Sequence, residues 1–218
     1  MVTLDNFANK DNLEFYERMP VGTLQDKFLE KSGLKGTPDV ALLKSYWEKT
    51  DSILEIGAGE GRVIDGLLIR RYLGEITALE RSSSLCNHLK QKYSKLTNVK
   101  ILEADLLSIE IPKRDIGLWL WSGILEFSPK EQKKAIHRLS RCVEVLCFDT
   151  PKLGEKTNAT LEKGNRLSMK QDWGDAYGYI PSLDEIKFYA KGSKFSLRYN
   201  FDLFTEAGRI RTFYIFEK

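Results

Sequence analysis

The stretch SILEIGAGEGRVIDGLL, Ser52 to Leu68, constrains this chain more than any other. Its apolar run reads as a buried strand, its glycines as a tight turn, and Val63, Ile64, Leu67 and Leu68 as the apolar stripe of a helix. The rhythm then repeats. Strand-like runs occur at EITALE (Glu75 to Glu80), VKILEAD (Val99 to Asp105), IGLWLW (Ile116 to Trp121) and VEVLCFD (Val143 to Asp149). Between them lie helical stripes on Leu85, Cys86, Leu89 and Leu96, and on Ala135, Ile136 and Leu139 after Ser128-Pro129. Strands alternating with helices of this length predict an α/β fold whose sheet is mostly parallel, with helices on both faces. The tail FSLRYNFDLFTEAGRIRTFYIFEK predicts two strands around Glu206-Ala207-Gly208, and so short a turn makes them an antiparallel hairpin.

A chain of 218 residues, 42% hydrophobic and 30% charged, can bury one sizeable core. Residues 1–50, with helical patterns on Leu24, Phe28 and Leu29 and on Val40, Leu43 and Trp47, are expected to form an N-terminal helical cap on the unit 51–218. The net charge of +3 is mildly basic, so a nucleic-acid partner is not implied. Three cysteines inside apolar patterns point to a reduced compartment, and Cys142 and Cys147 face opposite sides of a strand, so no metal site is expected. The amino terminus lacks a secretory pattern and no apolar run approaches the ~20 residues that span a bilayer. The expectation is a soluble, cytoplasmic protein with no membrane partner, its oligomeric state left open.

Spacing and charge narrow what the glycine turn can hold. No lysine follows Gly57 or Gly61 at the P-loop position, which disfavours a nucleoside triphosphate. The run Gly57-x-Gly59-x-Gly61 places its third glycine one residue early for a dinucleotide fingerprint. Glu55, two residues before the turn, would repel a pyrophosphate but could attract an ammonium group. Glu80, at the end of the next strand run, can accept both hydroxyls of a ribose, and Asp105 ends the third run. Three acids around one crevice suit a nucleoside that carries positive charge and no phosphate.

With Glu55-Ile56-Gly57-Ala58-Gly59-Glu60-Gly61, Glu80, Ala104-Asp105 and the closing hairpin, the chain resembles the class I S-adenosylmethionine-dependent methyltransferases, small-molecule type, from roughly Pro38 to Lys218. The resemblance implies a Rossmann-like seven-stranded sheet and S-adenosyl-L-methionine as cofactor. It also implies cofactor contacts from Glu55, Gly57, Ala58, Gly59, Gly61, Glu80, Arg81, Ala104, Asp105, Leu106, Trp121 and Ser122, with Asp105 at the adenine amino group. The expected enzyme moves a methyl group to a small-molecule acceptor by in-line displacement. The alternatives are an RNA or protein methyltransferase and a non-catalytic binding protein.

Methyl transfer from a sulfonium depends mainly on alignment, so a dedicated base is optional. The catalytic candidates are Trp121, Ser122, Glu126 and Tyr177. The segment Trp121-Ser122-Gly123-Ile124-Leu125-Glu126-Phe127 lacks the Asn/Asp-Pro-Pro-Tyr/Phe element associated with planar amino groups, and Asp149-Thr150-Pro151 lacks the Pro-Cys element of cytosine C5 enzymes. The polar stretch at 150–181 is expected to be a substrate loop, in which Asp172, Trp173, Tyr177 and Tyr179 gather aromatic faces and carboxylates suited to an amine or aromatic acceptor. His88 and His137 are expected on crossover helices, away from the site.

Overall fold

The computed structural model describes residues 9–155, 159–162 and 164–218. A seven-stranded sheet is built from β1 (Ser52–Ile56), β2 (Glu75–Glu80), β3 (Val99–Glu103), β4 (Arg114–Trp119), β5 (Val143–Pro151), β9 (Ser196–Phe204) and β10 (Ile210–Glu217). Its order is β3-β2-β1-β4-β5-β10-β9, with β10 antiparallel to both its neighbours and the other pairings parallel. The expected fold class and terminal hairpin are borne out. Because β1 lies between β2 and β4, the direction of winding reverses there and a crevice opens beyond the carboxyl ends of these strands.

Alternation along the strands fills two apolar layers. Leu54, Ile56, Trp119, Leu146 and Phe148 pack under α7 (Pro129–Leu139) and α8 (Leu183–Ala190). Ile53, Ile76, Ile116, Leu118 and Cys147 pack on the other face against α5 (Arg62–Ile69), α6 (Ser83–Lys92) and the short helices α3 (Pro38–Leu42) and α4 (Lys44–Trp47). Ser128 with Glu131, and Ser182 with Glu185, form capping boxes that start α7 and α8 where the sequence places serine. Ahead of these elements come α1 (Asn9–Arg18), a π-helical turn at Leu24–Phe28 and α2 (Leu29–Ser32).

Two expectations are corrected. β4 runs from Arg114 to Trp119 rather than from Ile116 to Trp121, and Trp121 and Ser122 follow it in the loop. The strand starts early because its polar residues find partners at the sheet's end: Arg114 donates to Thr77, and the Asp115 carboxylate accepts the N–H groups of Asp51 and Ser52. The stretch at 150–181 is not one loop. Beyond β5 it forms a three-stranded antiparallel sheet of β6 (Thr160–Glu162), β7 (Arg166–Gln171) and β8 (Gly174–Tyr179). Gln171 and Gly174 pair, so Asp172-Trp173 is a two-residue hairpin turn. Among the described residues no helix is long and apolar enough to cross a membrane.

Candidate active site

A cavity of about 250 Å³ lies at the winding reversal, lined from β1, the glycine loop, the ends of β2 and β4, and the N-terminal segment. Gly57 and Gly59 adopt φ of 69° and 56°, which glycine reaches without steric cost. A Cβ built on Gly57 would meet no protein atom within 4 Å, so packing does not demand this glycine. The space beside it is free for a ligand that approaches the backbone closely.

Two carboxylates face this space under different constraints. Glu55 is 2% exposed and its Oε2 has no hydrogen-bond partner. Burial pushes its carboxyl up to about 8, against the partial opposition of Arg62. Glu80 is held instead: Gly59 donates its N–H to Oε2 at 2.8 Å, and Arg81 and Ser82 donate theirs to Oε1 at 2.8 and 2.9 Å. Burial still raises its carboxyl above the ordinary range. An unpartnered buried carboxylate beside an open glycine cradle, with a second carboxylate fixed across it, matches the donor and acceptor needs of a cationic nucleoside.

The glycine loop also holds the N-terminal segment. Glu60 is 2% exposed, and its carboxylate accepts the backbone N–H groups of Gly22 (2.8 Å), Leu24 (3.2 Å) and Gln25 (3.0 Å). The strap so fastened brings Leu24, Gln25 and Phe28 to the cavity wall, with Tyr16 from α1. On the opposite wall, Trp119, Trp121, Gly123 and Phe127 follow from β4, and Glu126 pairs with Arg81 at 2.8 Å. Burial, and then the Glu126 charge, push the Tyr16 hydroxyl well above its usual range. The cavity is thus acidic along β1 and β2 and aromatic towards α1 and the loop after β4.

Of the sequence-predicted residues, the fold brings Glu55, Gly57, Ala58, Gly59, Glu80, Arg81, Ala104, Leu106, Trp121 and Glu126 onto this wall. Gly61, Asp105 and Ser122 do not line it. Asp105 turns back to accept the Leu107 N–H at 2.6 Å and caps its own turn, so its expected place at an adenine is corrected. Ser122 faces away and accepts from Arg211. Gly61 (φ 85°) starts α5, where its carbonyl accepts the Tyr93 hydroxyl at 2.8 Å.

The substrate residues expected from 150–181 are corrected as well. Trp173 and Tyr177 line a second, open cleft of about 420 Å³ with Phe15, Glu14, Arg18 and Asp175, across α1 from the main cavity. Asp172 shares their hairpin turn but lines neither cavity, while Tyr179 is buried and donates to Glu185 at 2.6 Å. Pairing of β7 with β8 orients this segment, and among its described residues only Met169 reaches the main cavity. His88 and His137 lie on α6 and α7, outside the cavity wall. Among the described residues no group of three or more His, Cys, Asp or Glu side chains is arranged to hold a metal ion.

Wall residues that the sequence did not place at the site individually include Tyr16, Leu24, Gln25, Phe28 and Arg62, the first four from the N-terminal cap that was expected to share in substrate contacts. All but Arg62 precede the glycine turn by more than twenty positions, and no local pattern links them to it. Glu60 was legible as a motif letter but not as the strap's anchor.

The fold is shared with solved structures. It matches the CcbJ methyltransferase from Streptomyces caelestis with a TM-score of 0.70 at 13% identity, covering 94% of this chain and 98% of that one. It matches magnesium protoporphyrin IX methyltransferase from Synechocystis PCC 6803, solved with bound S-adenosylmethionine, with a TM-score of 0.63 at 12% identity, covering 100% and 98%. The class I S-adenosylmethionine-dependent methyltransferase fold expected from the sequence is therefore borne out.

Sequence comparison adds what fold cannot. A ribosomal RNA small subunit methyltransferase A from Koribacter versatilis is 40% identical over 60 residues, which cover 28% of this chain and 20% of that protein. A probable enzyme of the same name from Methanosarcina acetivorans is 29% identical over 94 residues, covering 43% and 33%. The match thus spans a fifth to a third of these relatives' lengths. The sequence model described as ribosomal RNA adenine dimethylase matches residues 27–148. This overturns the expectation that nucleic acid is not implied and that the partner is a small molecule. Net charge sums the whole surface, and a sum of +3 carries no information about one face. With more than half of its length matched, the chain belongs to the ribosomal RNA adenine dimethylase family.

Proposed function

We propose that this protein takes a methyl group from S-adenosylmethionine and transfers it to RNA. Family membership carries the acceptor class, since the relatives act by name on ribosomal RNA. The two-sided cavity supports it. In this reading Glu80 accepts the ribose hydroxyls, Glu55 faces the ammonium group, and Gly57, Ala58, Gly59, Arg81, Ala104 and Leu106 complete the cradle. The cofactor supplies an activated methyl on a sulfonium, and the chain's contribution is to hold the acceptor in line with it. Enzymes that modify a base take it out of its stack and sandwich it between aromatic faces, which Tyr16, Trp121 and Phe127 offer here. Residues 1–50 act in this scheme as a cap on the unit 51–218.

The loop Leu120-Trp121-Ser122-Gly123 carries no side-chain amide or carboxylate for an adenine amino group, so the methylated atom decides how far the family's chemistry extends to this chain. The test is transfer of labelled methyl from S-adenosylmethionine to ribosomal RNA, followed by digestion to nucleosides. Label in methyladenosine is expected. Label in another nucleoside would retire adenine and keep RNA. No label in RNA at any ionic strength, from a protein that binds S-adenosylhomocysteine, would overturn the proposal.

Glu55 makes cofactor binding pH-dependent. With its carboxyl near 8 it is protonated at neutral pH, whereas an ammonium partner favours the ionised form, so binding releases a proton. Affinity for S-adenosylhomocysteine is expected to rise from pH 6 to pH 8, by at most about tenfold per unit, and then to level off. The ligand-free fold shows the opposite trend. A raised carboxyl holds a proton that the unfolded chain has already released, so this contribution to stability declines as pH climbs from about 4.5 towards 8. Calorimetry in two buffers of different ionisation enthalpy reads the proton directly. An affinity flat across this window, matching that of Glu55→Gln, would remove Glu55 from the site.

A further inference from the structure

We infer that Arg211 and Asp149 are positioning residues for methyl transfer, setting the place of Trp121 in the cavity wall without touching the cavity themselves; this rests on the methyltransferase reading above. Trp121 and Ser122 are consecutive non-glycine residues with φ of 59° and 67°. Left-handed backbone is unfavourable for such residues and persists only where surroundings impose it. The surroundings here are buried charge. Arg211, on β10, is 6% exposed and pairs with the fully buried Asp149 on β5. The same guanidinium donates to Ser122 Oγ, and the Ser122 N–H points to Asp149 Oδ1 at 3.4 Å. One ion pair thus grips Ser122 at both its hydroxyl and its backbone.

The other side of the loop is held as well. The Arg62 guanidinium lies 5.3 Å from the centre of the Trp121 ring, a cation–π distance. Arg62 is in turn fixed by two bonds to Asp39. Beyond Ser122 the backbone packs closely on Trp119, where a Cβ on Gly123 would lie 2.5 Å from the indole nitrogen. Burial raises the Asp149 carboxyl and Arg211 opposes this, which is the balance of a charge kept inside the fold by its partner. Released from Arg211, the loop is free to relax to negative φ, and the indole of Trp121 leaves the wall where the acceptor is aligned. Cradle residues at β1 and β2 are untouched by this change, so cofactor affinity should not follow.

The test uses full-length protein labelled with 5-fluorotryptophan, whose four tryptophan signals are assigned by single Trp→Phe replacements. Arg211→Lys keeps the charge and loses the fork. Ser122→Val removes the hydroxyl and adds β-branching that resists positive φ, while Ser122→Asn restores an acceptor and tolerates it. In Arg211→Lys and Ser122→Val the Trp121 signal should move or split. The single-turnover rate should fall about 10- to 100-fold, S-adenosylhomocysteine affinity should stay within about twofold, and Ser122→Asn should recover the rate. Should Arg211→Lys fail to fold, the serine pair carries the test alone. An unmoved Trp121 signal, or a moved signal with unchanged turnover, overturns the inference. A moved signal in a protein whose wild type transfers nothing to RNA overturns the RNA reading and leaves the loop assignment standing.

Discussion

Replacing Asp39 with alanine is expected to lower the stability of the fold by about 3–5 kcal/mol, the range for a buried ion pair that loses one member. Asp39 and Arg62 are 1% and 6% exposed at their side chains and share two hydrogen bonds, of 2.7 and 2.6 Å. Burial alone would raise the Asp39 carboxyl, but the facing guanidinium outweighs it and holds the group below the usual range. Without Asp39 the Arg62 charge loses its partner while its side chain, 6% exposed at the start of α5, stays largely buried. The loss corresponds to a melting temperature lower by roughly 6–20 °C for a chain of this size. Asp39→Leu combined with Arg62→Met should regain much of it, since what costs free energy is the orphaned charge rather than the missing attraction. A carboxyl with a lowered folded pKa stabilises above its unfolded value and is lost below it, so wild type should converge on the alanine variant as pH falls below about 4. A melting point within 2 °C of wild type at pH 7, or a double variant no better than the single, would sink this account.

The second large effect is expected at Glu60. Its carboxylate takes three backbone N–H groups of the strap, and charge-assisted bonds of this kind contribute about 1.5–3 kcal/mol each. Glu60→Ala should therefore release the strap at a cost of several kcal/mol to the strap alone, since the core layers on either side of the sheet do not depend on it. With the strap open, Leu24, Gln25 and Phe28 leave the cavity wall, and affinity for S-adenosylhomocysteine should weaken by about 10- to 100-fold. Amide exchange at residues 21–28 should speed up while the central strands stay protected. Glu60→Gln keeps one acceptor and should fall between. Unchanged exchange at these amides, together with unchanged affinity, would show that the strap does not depend on Glu60.

These two carboxylates mark where sequence reading stopped. Both were visible as letters, one in a short helix and one in the glycine turn, and neither had a legible partner. Asp39 is 23 positions from Arg62, and Glu60 reaches back 35 to 38 positions to the strap. The central strands were legible because a buried parallel strand must be an apolar run, and a helix between two of them must show a stripe. The antiparallel hairpin followed from its short turn. The three-stranded sheet after β5 was not legible, because β6 is exposed and β7 and β8 are only partly buried, so their period is faint. Asp105 failed as a cofactor contact for a local reason: a carboxylate that begins a turn can satisfy the N–H two residues on, and here it does.

The sequence by itself determined the strands of the main sheet, its terminal hairpin, and the glycine turn with Glu55 and Glu80 at neighbouring strand ends, because each rests on period, spacing and charge within a few dozen residues. The tertiary structure decided which distant residues wall that cradle, Tyr16 and the strap and none of the aromatic residues expected from 150–181, and it brought Arg211 from the last strand to hold the loop after β4 from outside the cavity. A backbone turn follows local rules, whereas the far wall of a cavity is chosen by packing between elements whose sequence separation carries no signal.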